Sequence, residues 1–335
     1  MRFGLALPHY GYSMPGGEPA SYERVAECAV LAERLGFDSV WVSDHFYLSI
    51  AKYGGGETLH DALEPLTTLA GLAAATERIR LGTLALCTPF RHPAVLAKAA
   101  ATLDAFAHGR VDIGLGAGWY EPEFADFGYE FPGTRERFDM LEETLQVLEL
   151  LLGEGPVDFA GRHYSLVGAQ CLPRSPQQPR LPVWVGAKGG PRALRLAARH
   201  ADGWNASWRW TPESYGEKAR LADRTCEQEG RDPATLRRSV GLYALVGEDE
   251  RDLAERYRAL QRWTPNGALD REPLEGWMRD TLTGAPEHVL GLLGEYSAFG
   301  VEEVVVNVAS MPFAVSDPAA VELFAEEILG PARDL

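Results

Sequence analysis

The residues able to do chemistry in this chain fall in short clusters, each directly after an apolar run. His9-Tyr10-Gly11 follows Phe3–Leu7, and Asp44-His45-Phe46 follows the run Ser39–Val42. Cys87 to His92 follows Ile79–Leu86, and Gly116-Ala117-Gly118-Trp119-Tyr120 follows Val111–Leu115. Gly186-Ala187-Lys188-Gly189-Gly190-Pro191 follows Pro182–Val185, and Ser207-Trp208-Arg209-Trp210 follows Gly203–Ala206. These clusters are rich in histidine, aromatic rings and glycine. They show no spacing that suits a metal ion, so no metal is expected. Aromatic walls with backbone donors suit a flat heteroaromatic group. A glycosidase would instead need two facing carboxylates, roughly 5–10 Å apart. Asp44 with Glu121 or Glu123 is the one pair on offer for that chemistry.

Each cluster has a chemical reading and a plainer one. Gly186–Pro191 stands before a helix starting near Arg192, and a glycine-rich turn at a helix N-terminus is an anion nest. Lys188 and Arg192 add positive charge there. The same motif also serves a tight strand-to-helix turn that needs glycine for its dihedrals. His45 can stack on a cofactor, hydrogen-bond it, or move a proton near neutral pH. Asp44 can orient His45 or accept from a heterocycle N–H. Otherwise Asp44 caps a turn and His45 is a packed polar residue. His9, Tyr10, Trp119 and Trp208 are candidate substrate-pocket residues, although aromatics also fill barrels. Ser13–Pro19, rich in Gly and Pro, is either a lid or a surface connection. His92 before Pro93 is expected to cap the third helix.

The elements that must hold these clusters alternate. Short apolar runs, the mark of parallel strands covered on both faces, are each followed by an amphipathic stretch. The first such stretch, Tyr22–Leu35, is ended by Gly36. Eight such units predict a (β/α)8 TIM barrel with insertions. An open Rossmann-like sheet ranks below it, because Leu7-Pro8-His9-Tyr10-Gly11 lacks the phosphate-turn glycines. All 335 residues are read as one domain, 1–335, with insertions at about 153–180 and 247–284. Within the first insertion, Val157–Leu166 alternates like a hairpin.

Composition narrows the classes further. The net charge of −16 disfavours nucleic acid and anionic lipid. No apolar run reaches the roughly 18 residues of a membrane span, and no leader is read at the N-terminus. The four cysteines (Cys28, Cys87, Cys171 and Cys226) are scattered, which predicts a reducing cytoplasm rather than disulfides or structural zinc.

Several segments, taken in order, resemble the bacterial-luciferase-like superfamily of flavin- and F420-dependent oxidoreductases and monooxygenases. They are Leu35 to His45, Ile79 to Thr83, Arg91 to Lys98, Gly109 to Val111 with Gly114 to Trp119, Arg135 to Phe138, Pro182 to Gly186, and Ala201 to Trp204. The resemblance implies a luciferase-like barrel whose mouth holds an isoalloxazine or deazaflavin ring. It implies a phosphate at Ala187, Lys188, Gly189 and Gly190, and a non-prolyl cis peptide at Leu84-Ala85 forming a bulge behind the ring. Asp44, Cys87, Ala117 and Gly118 complete the implied cofactor contacts. Ser43 to Phe46 and Gly189 to Pro191 are similar to the branch using coenzyme F420, with FMN as the alternative. In the F420-dependent glucose-6-phosphate dehydrogenases an acid follows the Gly-x-Gly of the fourth strand. Here Trp119 stands in its place, which disfavours sugar-phosphate oxidation and leaves His45, with Asp44, as the catalytic candidates. The expected function is hydride transfer to or from a small, apolar organic substrate. The alternatives are an FMNH2-dependent two-component monooxygenase and a non-catalytic flavin-binding protein. The expected partners are the substrate, a flavin or F420 reductase, and a second copy in a homodimer.

Overall fold

The computed structural model describes residues 1–14 and 18–335. The Ser13–Pro19 loop, read as a lid or a connection, lies partly at 15–17, outside the described residues.

Eight parallel strands close on themselves. They are β1 (Arg2–Ala6), β2 (Ser39–Val42), β3 (Arg80–Thr83), β4 (Val111–Gly116), β5 (Val183–Gly186), β6 (Gly203–Ser207), β7 (Arg237–Val246) and β8 (Glu303–Asn307). Each pairs with the next in sequence order, and Arg2–Leu5 of β1 pairs with Glu303–Val306 of β8 to shut the ring. The architecture is therefore a closed (β/α)8 barrel. Around it run α1 (Tyr22–Leu35), α2 (Pro65–Ala75), α3 (Pro93–Phe106), α4 (Glu121–Asp126), α5 (Thr134–Leu151), α6 (Pro191–His200), α7 (Pro212–Gln228), α8 (Glu250–Trp263), α9 (Leu274–Met278), α10 (Pro286–Ala298) and α11 (Pro318–Phe324).

Local chemistry sets the element ends. Gly36 takes the left-handed conformation (φ 89°) that closes α1. His92 caps α3 by accepting from the Ala94 amide at 3.2 Å, and Pro93 occupies the first turn, where its missing N–H does no harm. Near the N-terminal end of the barrel, Trp41 and Trp184 fill the lumen. They fit because Gly82 and Gly203 have no side chain: a Cβ on either would collide with the neighbouring indole. Polar groups at this end are paired. Asp112 accepts from Arg80 Nε at 2.6 Å and from Trp184 Nε1 at 3.0 Å. Glu303 accepts from Ser39 Oγ at 2.5 Å, and Arg2 stands 3.5 Å away.

Three regions depart from the predicted elements. Ile79–Leu86 is not one strand. After β3 the Leu84-Ala85 peptide is cis, and Leu86–Cys87 then pairs with Leu115 and Gly116 of β4. A hairpin between β2 and α2, Tyr47–Ser49 with Leu59–Asp61, was not foreseen, because three-residue strands carry no readable alternation. The 247–284 stretch supplies α8, α9 and a short strand, Leu282–Gly284, that extends along β7. Val157–Ala160 and Ser165–Ala169 form the antiparallel hairpin of 153–180. Among the described residues no helix is long and apolar enough to cross a membrane, and no cluster of ligating side chains could hold a metal ion.

Candidate functional site

A cavity of about 410 Å³ opens at the C-terminal end of the barrel, within the range of small-molecule sites. It is lined by strand exits: Tyr10, Asp44 and His45, Leu84 to Cys87, Gly116 to Tyr120, Gly186 to Lys188, and Ser207 with Trp208. The tongue between the two hairpin strands adds Lys52 and Tyr53, and Glu123 of α4 closes one side.

His45 is the side chain best placed for proton chemistry. Its Nδ1 lies 2.6 Å from Oε2 of Glu123, whose side chain is 1% exposed. The other Glu123 oxygen accepts from the Phe46 and Tyr47 amides. A carboxylate only accepts, so Nδ1 carries the proton and Nε2 is the nitrogen left for a ligand. The rings of Trp119, Tyr120 and Tyr10 surround the imidazole with centroids 5.6, 6.1 and 6.3 Å away. Glu123 was named from sequence only as a glycosidase carboxylate beside Asp44. The hint that it points inward is its place next to Phe124, an apolar residue in the first turns of a short helix.

Asp44 stands apart from this pair. Its carboxylate takes a two-pronged bond from Arg91 and accepts from the Cys87 amide at 2.8 Å. Arg91 also reaches Glu64 at 2.6 Å. These bonds occupy three of a carboxylate's roughly four acceptor positions, and none of them comes from His45. Asp44 instead ties the exit of β2 to the bulge after β3. With Asp44 bound to Arg91 and Glu123 bound to His45, these two carboxylates do not form the facing pair that glycoside hydrolysis needs.

His9 does not line the cavity. It is fully buried, with Nδ1 3.0 Å from the Leu7 carbonyl and Nε2 accepting from the Ser43 amide at 3.2 Å. Burial lowers its pKa to about 4, so it is a neutral post behind the wall. Its contacts hold Ser43, whose hydroxyl meets Tyr10 at 2.5 Å. Tyr10, Trp119 and Trp208 do face the cavity. Cys87 lines it too, but burial and then the Asp44 charge push its thiol above the usual range, so it is a wall and not a nucleophile. Gly118 has φ 78°, and a Cβ there would come within 2.7 Å of Cys87 Sγ.

At the β5 exit, one of the four amides expected to hold an anion is already spent. The Ala187 amide donates to the Asn205 carbonyl at 3.0 Å and is therefore consumed by the protein. Among the described residues no protein group accepts from the amides of Lys188, Gly189 or Gly190, which precede the first turn of α6. Gly189 must be glycine, with φ 71° and Trp204 and Lys218 close by. Gly190 has an ordinary backbone, and a Cβ on it would project into open space. Arg192 turns away to Asp139 and the Arg135 carbonyl. The local cation is Lys188, whose Nζ lies 2.5 Å from the Trp208 carbonyl and 4.8 Å from the centre of the Trp210 ring. Burial, and then the neighbouring Lys52, lower its pKa to about 8.

Known proteins resemble this chain in sequence and in fold. The family model for luciferase-like monooxygenases matches residues 1–303. An F420-dependent glucose-6-phosphate dehydrogenase from Kineococcus radiotolerans is 36% identical over 263 residues, 76% of this chain and 74% of that one. A second, from Amycolatopsis mediterranei, is 37% identical over 62% of each chain. Among solved structures, a monooxygenase from Streptomyces bottropensis superposes with TM-score 0.76 at 26% identity, covering 98% and 99% of the two chains. An F420-dependent secondary alcohol dehydrogenase superposes with TM-score 0.77 at 21% identity over 99% of each chain. With a family match over residues 1–303 and a relative 36% identical over 76% of its length, this chain belongs to the luciferase-like monooxygenase family.

Proposed function

We propose that the protein is an oxidoreductase that uses the deazaflavin coenzyme F420 to move a hydride to or from a small organic substrate. One observation carries the reading: a single cavity is lined both by His45, backed by Glu123, and by the start of a cradle of unspent amides at Lys188. The residues fit an anionic, flat cofactor. Lys188, Gly189 and Gly190 would hold its phosphate, and the open space beyond Gly190 is where a ligand would approach the backbone. Leu84, Ala85, Leu86, Ala117 and Gly118 would form the wall against the ring. The bound deazaflavin would supply two-electron hydride chemistry.

The chain's own residues handle the proton and the orientation. In oxidation, Nε2 of His45 takes the proton of a substrate hydroxyl; in reduction, it returns one. Glu123 holds Nδ1–H and stabilises the imidazolium formed on the way. Asp44 positions Cys87, and so the wall, without touching the proton. Trp119, Trp208 and Tyr10 exclude water and favour an unsaturated or apolar body. The two glucose-6-phosphate dehydrogenase relatives support F420 as the cofactor.

An FMN-dependent monooxygenase is the second reading; the relative at 26% identity, described as a monooxygenase, favours that reaction class. It would require reduced flavin from a partner reductase, and oxygen as co-substrate. Fluorescence titration of the protein with F420 and with FMN separates the two. The expected result is saturable F420 binding with weaker FMN binding. Tight FMN binding without F420 binding, or oxygen uptake coupled to hydroxylation, overturns the proposal. Stoichiometric cofactor binding with no turnover over a broad substrate panel would leave only a flavin-binding protein.

A further inference from the structure

The chain has four lysines, against a large excess of acids, and two of them, Lys52 and Lys188, line this one cavity. Lys188 belongs to the cradle. Lys52 does not: it sits on the opposite loop system, at the apex of the tongue between Tyr47–Ser49 and Leu59–Asp61. The apex is fixed. The Tyr53 and Gly55 amides both donate to the Ile50 carbonyl, at 2.9 and 3.0 Å, and the Asn266 side chain grips the Gly55 carbonyl from the far insertion. The Lys52 ammonium stands 3.9 Å from the centre of the Trp119 ring, the same indole whose centroid is 5.6 Å from that of His45. Among the described residues neither cavity lysine has a carboxylate ion-pair partner. Burial lowers the pKa of Lys52, and its charge helps to depress that of Lys188. The mouth therefore carries positive charge that the protein does not neutralise, inside a molecule of net charge −16.

We propose that Lys52 makes the cavity selective for an anionic substrate: a flat or unsaturated organic acid whose carboxylate meets Lys52 while its carbon skeleton lies along Trp119 toward His45. An ammonium held over an indole face can pair with a carboxylate laid along the same ring. Lys52 and His45 touch the same indole, so the acid group and the reacting carbon are separated by about one ring's width. That excludes long-chain acids and neutral hydrocarbons as preferred substrates. It also revises the purely apolar substrate expected from the aromatic residues alone. The inference rests on the oxidoreductase reading of the same cavity. The competing source of the anion is the cofactor itself, through its own phosphate or carboxylates.

The test uses benzoate and trans-cinnamate, with benzamide and cinnamamide as neutral counterparts, titrated against the protein with and without F420. Binding is read from tryptophan fluorescence. F420 affinity is measured separately in the wild type, Lys52→Met and Lys52→Arg. The expected result is that at least one acid binds about tenfold or more tightly than its amide. Lys52→Met should abolish that preference, Lys52→Arg should retain it, and F420 affinity should change less than twofold in both. Equal affinities for acid and amide, or no measurable binding of either acid, overturns the inference. So does a preference that survives Lys52→Met. If Lys52→Met weakens F420 as much as it weakens the acid, the anion is the cofactor's and the inference also falls. Failure of F420 to bind the wild-type protein would instead remove the cofactor reading, whatever the acids do.

Discussion

The two ends of the barrel treat charge in opposite ways. At the N-terminal end, Asp112 accepts from Arg80 and from the Trp184 indole N–H, while Glu303 accepts from Ser39 and from the Trp41 indole N–H. At the C-terminal end, among the described residues, His45 keeps one ring nitrogen free of protein partners, Lys52 and Lys188 lack counter-ions, and three successive amides have no protein acceptor. Water can serve the exposed groups among them, Lys52, Lys188 and Gly190, until a ligand replaces it. The closed end holds the ring of strands together. The open end stores the interactions that a bound molecule would satisfy.

The contrast is broken most sharply at His45. His45→Ala is expected to lower turnover about 100- to 10,000-fold while the thermal midpoint moves by only a few degrees; steady-state rates and calorimetry on the same preparation check this. A loss of folding that accounts for the loss of rate would make His45 a structural residue like His9. The mirror experiment is Asp112→Ala. It removes the acceptor of the Trp184 N–H and the carboxylate partner of Arg80, which keeps its bonds to Val111 and Gln177, and should remove about 1–3 kcal/mol of stability in urea unfolding. Cofactor affinity of the folded protein should stay unchanged.

His9 tests the border between the two regimes. Its folded-state pKa of about 4 lies below the ordinary value of 6.5. The unfolded chain therefore takes up the proton first, and stability is full above about pH 6.5 and declines as pH falls toward 4. The contribution is about 3 kcal/mol at most. His9→Asn should flatten that part of a stability-versus-pH curve, and an unaltered curve would show that His9 is not its source. The smallest effect is expected at Gly190. Gly190→Val meets no protein atom and no backbone strain, so stability should hold while F420 affinity drops roughly tenfold by fluorescence titration. Undiminished affinity would show that the open space is not a ligand's.

The barrel was legible because its information is local. A run such as Ser39–Val42, buried at every position, declares a strand between two helices, and Gly36 or Pro93 declares where a helix ends or begins. The site was legible only in outline. Strand exits could be found, but not which of their side chains touch. Glu123 meets His45 across 78 residues of sequence, and Arg91 meets Asp44 across 47. No periodicity encodes such pairings; barrel closure and register do. The Ala187 amide looked as available as its neighbours until the β5–β6 register brought the Asn205 carbonyl opposite it. His9 shares the strand-exit position of the functional residues, and only its depth separates it from them.

The scarcity of lysine has a practical consequence. Nearly all cationic side chains here are guanidinium groups, which are inert to acylating labels, and of the four side-chain primary amines two, Lys52 and Lys188, stand at the mouth. Because Lys188 loses its proton near pH 8, an amine-directed fluorophore applied at that pH should modify it ahead of Lys98 and Lys218. That would turn the barrel into a reporter of its own occupancy without any engineered cysteine.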